Sequence, residues 1–129
     1  MASPTILLVD DDIVVLSALS KLLGQFGYTV SGASNSVAAR GYVANDKMRF
    51  DLIVTDVVMP GINGMEFLTA VKKTFPDVPV IVVTGHADEH TTDEALGFGA
   101  FAYLVKPLNT RELVDTIERA LRSSARTSA

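Results

Sequence analysis

Short aliphatic runs alternate along the chain with segments whose apolar residues recur every three or four positions. The aliphatic runs are typical of strands that are buried on both faces, although the second one is half polar. They predict five strands, at residues 5–9, 28–32, 51–55, 79–83 and 101–105.

The segments between these runs carry the spacing of amphipathic helices. They predict five helices, from Leu16 to about Gly27, around residues 36–44, from Met65 to Phe75, around residues 89–98, and from Thr110 to Leu121. Two pairs, Pro60-Gly61 and Asn63-Gly64, mark a loop after the third strand. At the helix starts, Asp12 and Thr110 are the expected N-caps.

Alternation of strands and helices predicts an α/β fold, because parallel strands require crossover connections and these are usually helical. The sheet is therefore expected to be parallel, with helices on both faces. In such sheets ligands bind at the carboxyl ends of the strands. The residues at these ends are thus the first candidates for a functional site.

Composition limits the class of protein further. The chain has 129 residues, of which 48% are hydrophobic, so we expect one domain with its own core rather than a disordered chain. The net charge of −4 argues against direct binding of nucleic acid. The absence of cysteine excludes disulfides, thiolate metal sites and a cysteine nucleophile.

We expect a cytoplasmic protein, because the first residues lack the pattern of a signal peptide and the apolar runs are too short to span a membrane. The predicted domain covers residues 1–122. Residues 123–129 read as a loose polar tail or the start of a linker.

Four predicted strands end in polar residues. The first is followed by Asp10, Asp11 and Asp12, and the others by Asp56, Thr84 and Lys106. Each has an ordinary structural explanation when taken alone, as a helix cap, a turn residue or a solvated charge. Their occurrence together, at corresponding strand ends, favours a functional site.

These residues lie in motifs that closely resemble the receiver domains of bacterial two-component response regulators. The resemblance extends from about Thr5 to Leu121, in the order and spacing of the family. The motifs are Leu-Leu-Val-Asp10-Asp11-Asp12, Asp51-Leu-Ile-Val-Thr-Asp56-Val-Val-Met-Pro60-Gly61, Val82-Val83-Thr84-Gly85 and Tyr103-Leu-Val-Lys106-Pro107.

The resemblance implies a flavodoxin-like (βα)5 three-layer sandwich with a parallel five-stranded sheet in the order 2-1-3-4-5. In that order the first, third, fourth and fifth strands are adjacent, so their polar ends meet at one edge. Carboxylates gathered there repel one another unless a cation neutralises them. Oxygen ligands of this kind suit Mg²⁺, with Mn²⁺ as an alternative ion.

The resemblance also implies individual roles. Asp56 would be the phosphoacceptor, and Asp10, Asp11, Asp56 and the backbone carbonyl of Val58 would hold the metal ion. The chain would act as a signalling phosphoacceptor rather than as a metabolic enzyme.

The remaining roles concern the phosphoryl group and its detection. Thr84 and Lys106 would bind phosphoryl oxygens, and Thr84 with Tyr103 would form the conformational switch. The peptide between Lys106 and Pro107 is expected to be cis, as it is in the family.

The implied phosphoryl donor is a histidine kinase or a histidine phosphotransfer protein. A downstream effector would bind the face formed by the fourth helix, the last strand and the fifth helix. We expect neither nucleic acid nor a membrane as a direct partner.

Three alternative classes of protein fit these residues less well. A flavodoxin-like cofactor binder requires a phosphate-cradling loop after the first strand, where this chain has three aspartates. An aspartyl-phosphate hydrolase requires a second aspartate two residues after the nucleophile, where this chain has Val58. A degenerate receiver that serves only as a scaffold would not need the full set of acidic residues, threonine and lysine.

Overall fold

The computed structural model describes residues 3–44, 49–56, 58–59, 62–85, 97 and 99–128. The predicted helix around residues 89–98 and the Pro60-Gly61 pair therefore lie outside the described residues, except for Gly97.

Five parallel strands form the central sheet. They are β1 (Thr5–Val9), β2 (Thr29–Ala33), β3 (Leu52–Asp56), β4 (Val80–Thr84) and β5 (Ala102–Val105). Their order across the sheet is β2-β1-β3-β4-β5. This confirms the predicted order and places the carboxyl ends of β1, β3, β4 and β5 side by side.

Four described helices accompany the sheet: α1 (Ile13–Gln25), α2 (Ser36–Ala44), α3 (Gly64–Thr74) and α4 (Thr110–Ser128). The loop after β3 also contains a short antiparallel pair, Val58–Met59 with Ile62–Asn63, which the sequence analysis did not predict.

Strand side chains alternate between two apolar clusters, because successive residues of a strand point to opposite faces. On one face, Leu7, Val9, Ile53, Val80 and Val82 pack with α2 and α3. On the other face, Ile6, Leu8, Leu52, Ile81 and Val83 pack with α1 and α4. The described residues thus form three layers, as predicted.

The start of α1 agrees with the prediction, since the side chain of Asp12 accepts hydrogen bonds from the backbone N–H groups of Val14 and Val15. The start of α4 does not. Its cap is Asn109, whose Oδ1 accepts from the N–H of Glu112 at 3.1 Å, so the assignment of Thr110 as the N-cap was wrong by one residue.

The carboxyl end of the chain also differs from the prediction. Helix α4 continues through the expected loose tail to Ser128. Glycine and proline are the residues that most strongly terminate a helix, and neither occurs after Pro107. None of the helices in the described part of the chain is long and apolar enough to cross a membrane.

Candidate functional site

Two buried carboxylates lie at the carboxyl edge of the sheet. Asp56 is the last residue of β3 and Asp10 directly follows β1, and their exposed fractions are 5% and 4%. Adjacent parallel strands bring them together, since Val9 is paired with Thr55 in the register of β1 and β3. Buried carboxylates of this kind require a charge partner or several hydrogen bonds.

Lys106 supplies that charge. Its Nζ lies 2.9 Å from Oδ2 of Asp10 and 2.8 Å from Oδ2 of Asp56. Burial by itself lowers the pKa of this lysine, but the hydrogen bonds and negative charges of Asp56 and Asp10 outweigh burial and raise the pKa above its ordinary value of 10.5. The ammonium group is therefore firmly protonated at neutral pH and links the two carboxylates.

Backbone contacts hold these side chains in place. The N–H of Lys106 donates to the carbonyl oxygen of Thr84 at 2.8 Å, which extends the contact between β4 and β5 by one residue. The N–H of Asp12 donates to Oδ1 of Asp10 at 2.9 Å. The Lys106–Pro107 peptide is cis, as predicted.

Three of the four predicted metal ligands have side chains that lie close together. Carboxylate oxygens of Asp10, Asp11 and Asp56 lie within 4.8 Å of one another, with Asp11 exposed and the other two buried. Oxygen atoms gathered within this limit are close enough for one small cation to contact all three carboxylates. Val58, whose carbonyl is the fourth predicted ligand, begins the short strand two residues after Asp56. The all-oxygen donor set fits a hard divalent cation.

The predicted switch residues lie on neighbouring strands. Thr84 ends β4 and is fully buried. Tyr103 is paired with Val82 across β4 and β5 and packs, half-buried, against the cluster on the α2 and α3 face. Thr84 is paired with Val105, so Tyr103 lies two positions before its partner along the adjacent strand.

One residue at the site was missed by the sequence analysis. Thr55 is 1% exposed, and its hydroxyl donates to the backbone carbonyl of Asp56 at 3.1 Å. The signal was available, because a threonine interrupts the aliphatic strand Leu52–Val54 directly before the candidate phosphoacceptor.

Comparison with known proteins defines the class of this chain. Residues 6–118 match the family of response regulator receiver domains, and the chain belongs to that family. It is a receiver domain, the phosphoacceptor module of two-component signalling.

Relatives agree with this assignment in sequence and in structure. The DNA-binding transcriptional regulator NtrC of Azospirillum brasilense is 39% identical over 124 residues, which are 96% of this chain and 25% of that protein. A CheY-like receiver domain protein from Methanospirillum hungatei superposes with a TM-score of 0.91 at 31% identity, covering 97% of this chain and 98% of that one.

A third similar protein was solved with a modified site. It is a response regulator protein from Burkholderia pseudomallei with a phosphorylated aspartic acid, a calcium ion and citrate. It matches with a TM-score of 0.80 at 26% identity, over 98% of this chain and 74% of that one. The present chain spans about a quarter of the length of the curated relatives that it matches.

Proposed function

We propose that Asp56 is the residue that accepts the phosphoryl group in this receiver domain. The observation that carries the proposal is the contact of its buried carboxylate with Nζ of Lys106 at 2.8 Å, beside the carboxylates of Asp10 and Asp11. Among these three aspartates, Asp56 alone ends a central strand, flanked by β1 on one side and β4 on the other.

The bond-forming step requires an ionised carboxylate as the nucleophile. An oxygen of Asp56 attacks the phosphorus of a phosphohistidine, the phosphorus–nitrogen bond breaks, and the imidazole leaves with its electron pair. No general base is required, because the attacking group is already an anion. Phosphoryl transfer depends mainly on positioning and on stabilising charge on the equatorial oxygens.

Lys106 is placed to stabilise that charge. Its ammonium already contacts Asp56, so it can shift to an oxygen of the incoming phosphoryl group while staying near Asp10. The hydroxyl of Thr84 would bind a second phosphoryl oxygen.

Asp10, Asp11, Asp56 and the carbonyl of Val58 would hold Mg²⁺, or Mn²⁺ in its place. When bound, the ion would neutralise the clustered carboxylates and the charge that develops on the phosphoryl oxygens. The phosphorylated aspartic acid and calcium ion of the Burkholderia pseudomallei protein support an aspartate and a divalent cation in these roles.

The donor is proposed to be a histidine kinase or a histidine phosphotransfer protein, as expected for a receiver domain. The output would be carried by a further domain or protein that binds β5, α4 and the segment between β4 and β5. In the described part of that face, Phe101 and Val105 are exposed apolar residues.

A small-molecule phosphodonor tests the assignment without knowledge of the kinase. The purified chain is incubated with phosphoramidate, with and without Mg²⁺, and its intact mass is measured. We expect one Mg²⁺-dependent phosphoryl adduct, which is lost in Asp56→Asn. Asp12→Asn removes an aspartate that caps α1 and lies outside the cluster of Asp10, Asp11 and Asp56, so it is the matched control and should keep the adduct. An adduct that persists in Asp56→Asn would refute the proposal.

A further inference from the structure

Thr55 places a hydroxyl group in an otherwise apolar part of the sheet. It is paired with Val9 on β1, and Val82 of β4 lies opposite it on the other side. Both valines belong to the cluster on the α2 and α3 face, and Thr55 is 1% exposed. A hydroxyl in such surroundings is costly unless it is hydrogen-bonded.

The hydroxyl satisfies this requirement by donating to the carbonyl oxygen of Asp56 at 3.1 Å. That carbonyl belongs to Asp56, the candidate phosphoacceptor, which is the last residue of β3. Its orientation is set by the ψ angle of Asp56. The hydrogen bond therefore restricts the backbone of the residue whose side chain contacts Lys106.

We propose that Thr55 is a positioning residue for the phosphoacceptor site. Its buried hydroxyl holds the Asp56 carbonyl and so restricts the ψ angle of Asp56, on which the position of the proposed Val58 ligand relative to the Asp56 carboxylate depends. The inference rests on the proposed role of Asp56 and deepens it.

The chain offers a matched control in a second buried threonine. Thr116 is fully buried, and its hydroxyl donates to the backbone carbonyl of Glu112 at 2.7 Å. That bond lies within α4, so its loss should affect stability without changing the backbone at Asp56. Replacement by valine is nearly isosteric in both cases and exchanges the hydroxyl for a methyl group. At Thr116 it also removes the acceptor of a hydrogen bond from Nη2 of Arg119 at 3.2 Å, which lies within α4 as well.

The experiment compares the parent with Thr55→Val, Thr55→Ser and Thr116→Val. Three quantities are measured: the carbonyl ¹³C shift of Asp56 in the metal-free protein, the Mg²⁺ dissociation constant by NMR titration, and the initial rate of adduct formation with phosphoramidate. Unfolding in urea is followed in parallel. If Thr55→Val does not fold, Thr55→Ala removes the same hydroxyl and takes its place.

We expect Thr55→Val to shift the Asp56 carbonyl signal and to weaken Mg²⁺ binding and slow adduct formation by about fivefold each. A fivefold change corresponds to about 1 kcal/mol, within the net range of a single hydrogen bond. Thr55→Ser should restore most of both quantities. Thr116→Val should lose stability while keeping the parent's Mg²⁺ affinity and rate.

Parental Mg²⁺ affinity and rate in Thr55→Val would overturn the inference. Equal losses of Mg²⁺ affinity and of rate in Thr55→Val and Thr116→Val would also overturn it, because Thr55 would then have only a structural role. If the parent itself forms no adduct at Asp56, the proposed function fails. The carbonyl shift and the Mg²⁺ titration then still decide whether Thr55 positions the site.

Discussion

At Lys106, burial and ion pairing act on one ammonium group in opposite directions. Burial alone lowers its pKa, while Asp56 and Asp10 raise it by a larger amount. The folded protein therefore holds this proton more tightly than the unfolded chain does. Stability linked to this group is fully present below the ordinary pKa of 10.5 and is lost as pH rises through the higher folded pKa.

This linkage predicts a specific loss of stability in alkali. In urea unfolding of the metal-free protein, the free energy of unfolding of the parent should fall as pH rises above 10.5, and Lys106→Met should show a flatter dependence. Lys73→Met, which removes an exposed lysine of α3, is the control and should follow the parent. The raised pKa of Tyr28, caused by burial and by Glu118, acts in the same direction in all three proteins and cancels. Equal slopes for the parent and Lys106→Met would contradict the prediction.

Asp11 should have opposite effects on metal binding and on metal-free stability. It is exposed at the rim of the carboxylate cluster, whereas Asp10 and Asp56 are buried in contact with Lys106. Asp11→Asn removes a like charge, so the metal-free protein should unfold at a higher temperature while its Mg²⁺ affinity falls. Calorimetry with and without Mg²⁺ measures both quantities. Unchanged Mg²⁺ affinity would exclude Asp11 as a ligand.

At the scale of single elements, the start of α4 gives a direct comparison of two adjacent capping candidates. Asn109→Ala should lower the free energy of unfolding by about 1 kcal/mol, because it removes the acceptor for the N–H of Glu112. Thr110→Ala should change it by less than about 0.5 kcal/mol. Urea unfolding at neutral pH measures both. A larger loss in Thr110→Ala would mean that the cap is assigned to the wrong residue.

Strands β4 and β5 are expected to transmit the phosphorylated state from Thr84 to Tyr103. Thr84 is fully buried at the site, and Tyr103 lies two positions earlier along the paired strands. If Thr84 moves towards the phosphoryl group, Tyr103 can occupy the space that it leaves. Thr84→Ala should still accept phosphate at Asp56, while the aromatic NMR signals of Tyr103 stay near their unphosphorylated positions. A full change at Tyr103 in this variant would disprove the coupling.

The sequence predicts each boundary of the five central strands to within one residue, and two of the one-residue differences have local causes. Strand β4 was predicted to begin at Pro79, which has no N–H to donate, although its carbonyl accepts from Ile53 at 3.1 Å. The prediction begins β3 at Asp51. In the structure the Asp51 side chain accepts a hydrogen bond from the N–H of Thr5 at 2.7 Å, at the amino ends of β1 and β3. Hydrophobic periodicity carries no information about such side-chain and backbone contacts.

At the scale of the whole molecule, the sheet order joins residues that are far apart in the chain. Lys106 contacts Asp10 across 96 positions and Asp56 across 50. Alternating strands and helices predict that the sheet is parallel but leave the order of its strands open. The family resemblance implies the strand order. That order in turn implies that the polar ends of four strands lie at one edge of the sheet. The pairing of Lys106 with both buried aspartates depends on side-chain positions that only the structure supplies.

The central claim, that this whole arrangement serves to phosphorylate Asp56, is tested most directly by locating the adduct. The protein is treated with phosphoramidate and Mg²⁺, reduced with borohydride so that a phosphoaspartate becomes homoserine, digested, and sequenced by mass spectrometry. We predict homoserine at position 56 and unmodified aspartate at positions 10, 11 and 12. Homoserine at Asp10 or Asp11 with an intact Asp56 would contradict the account.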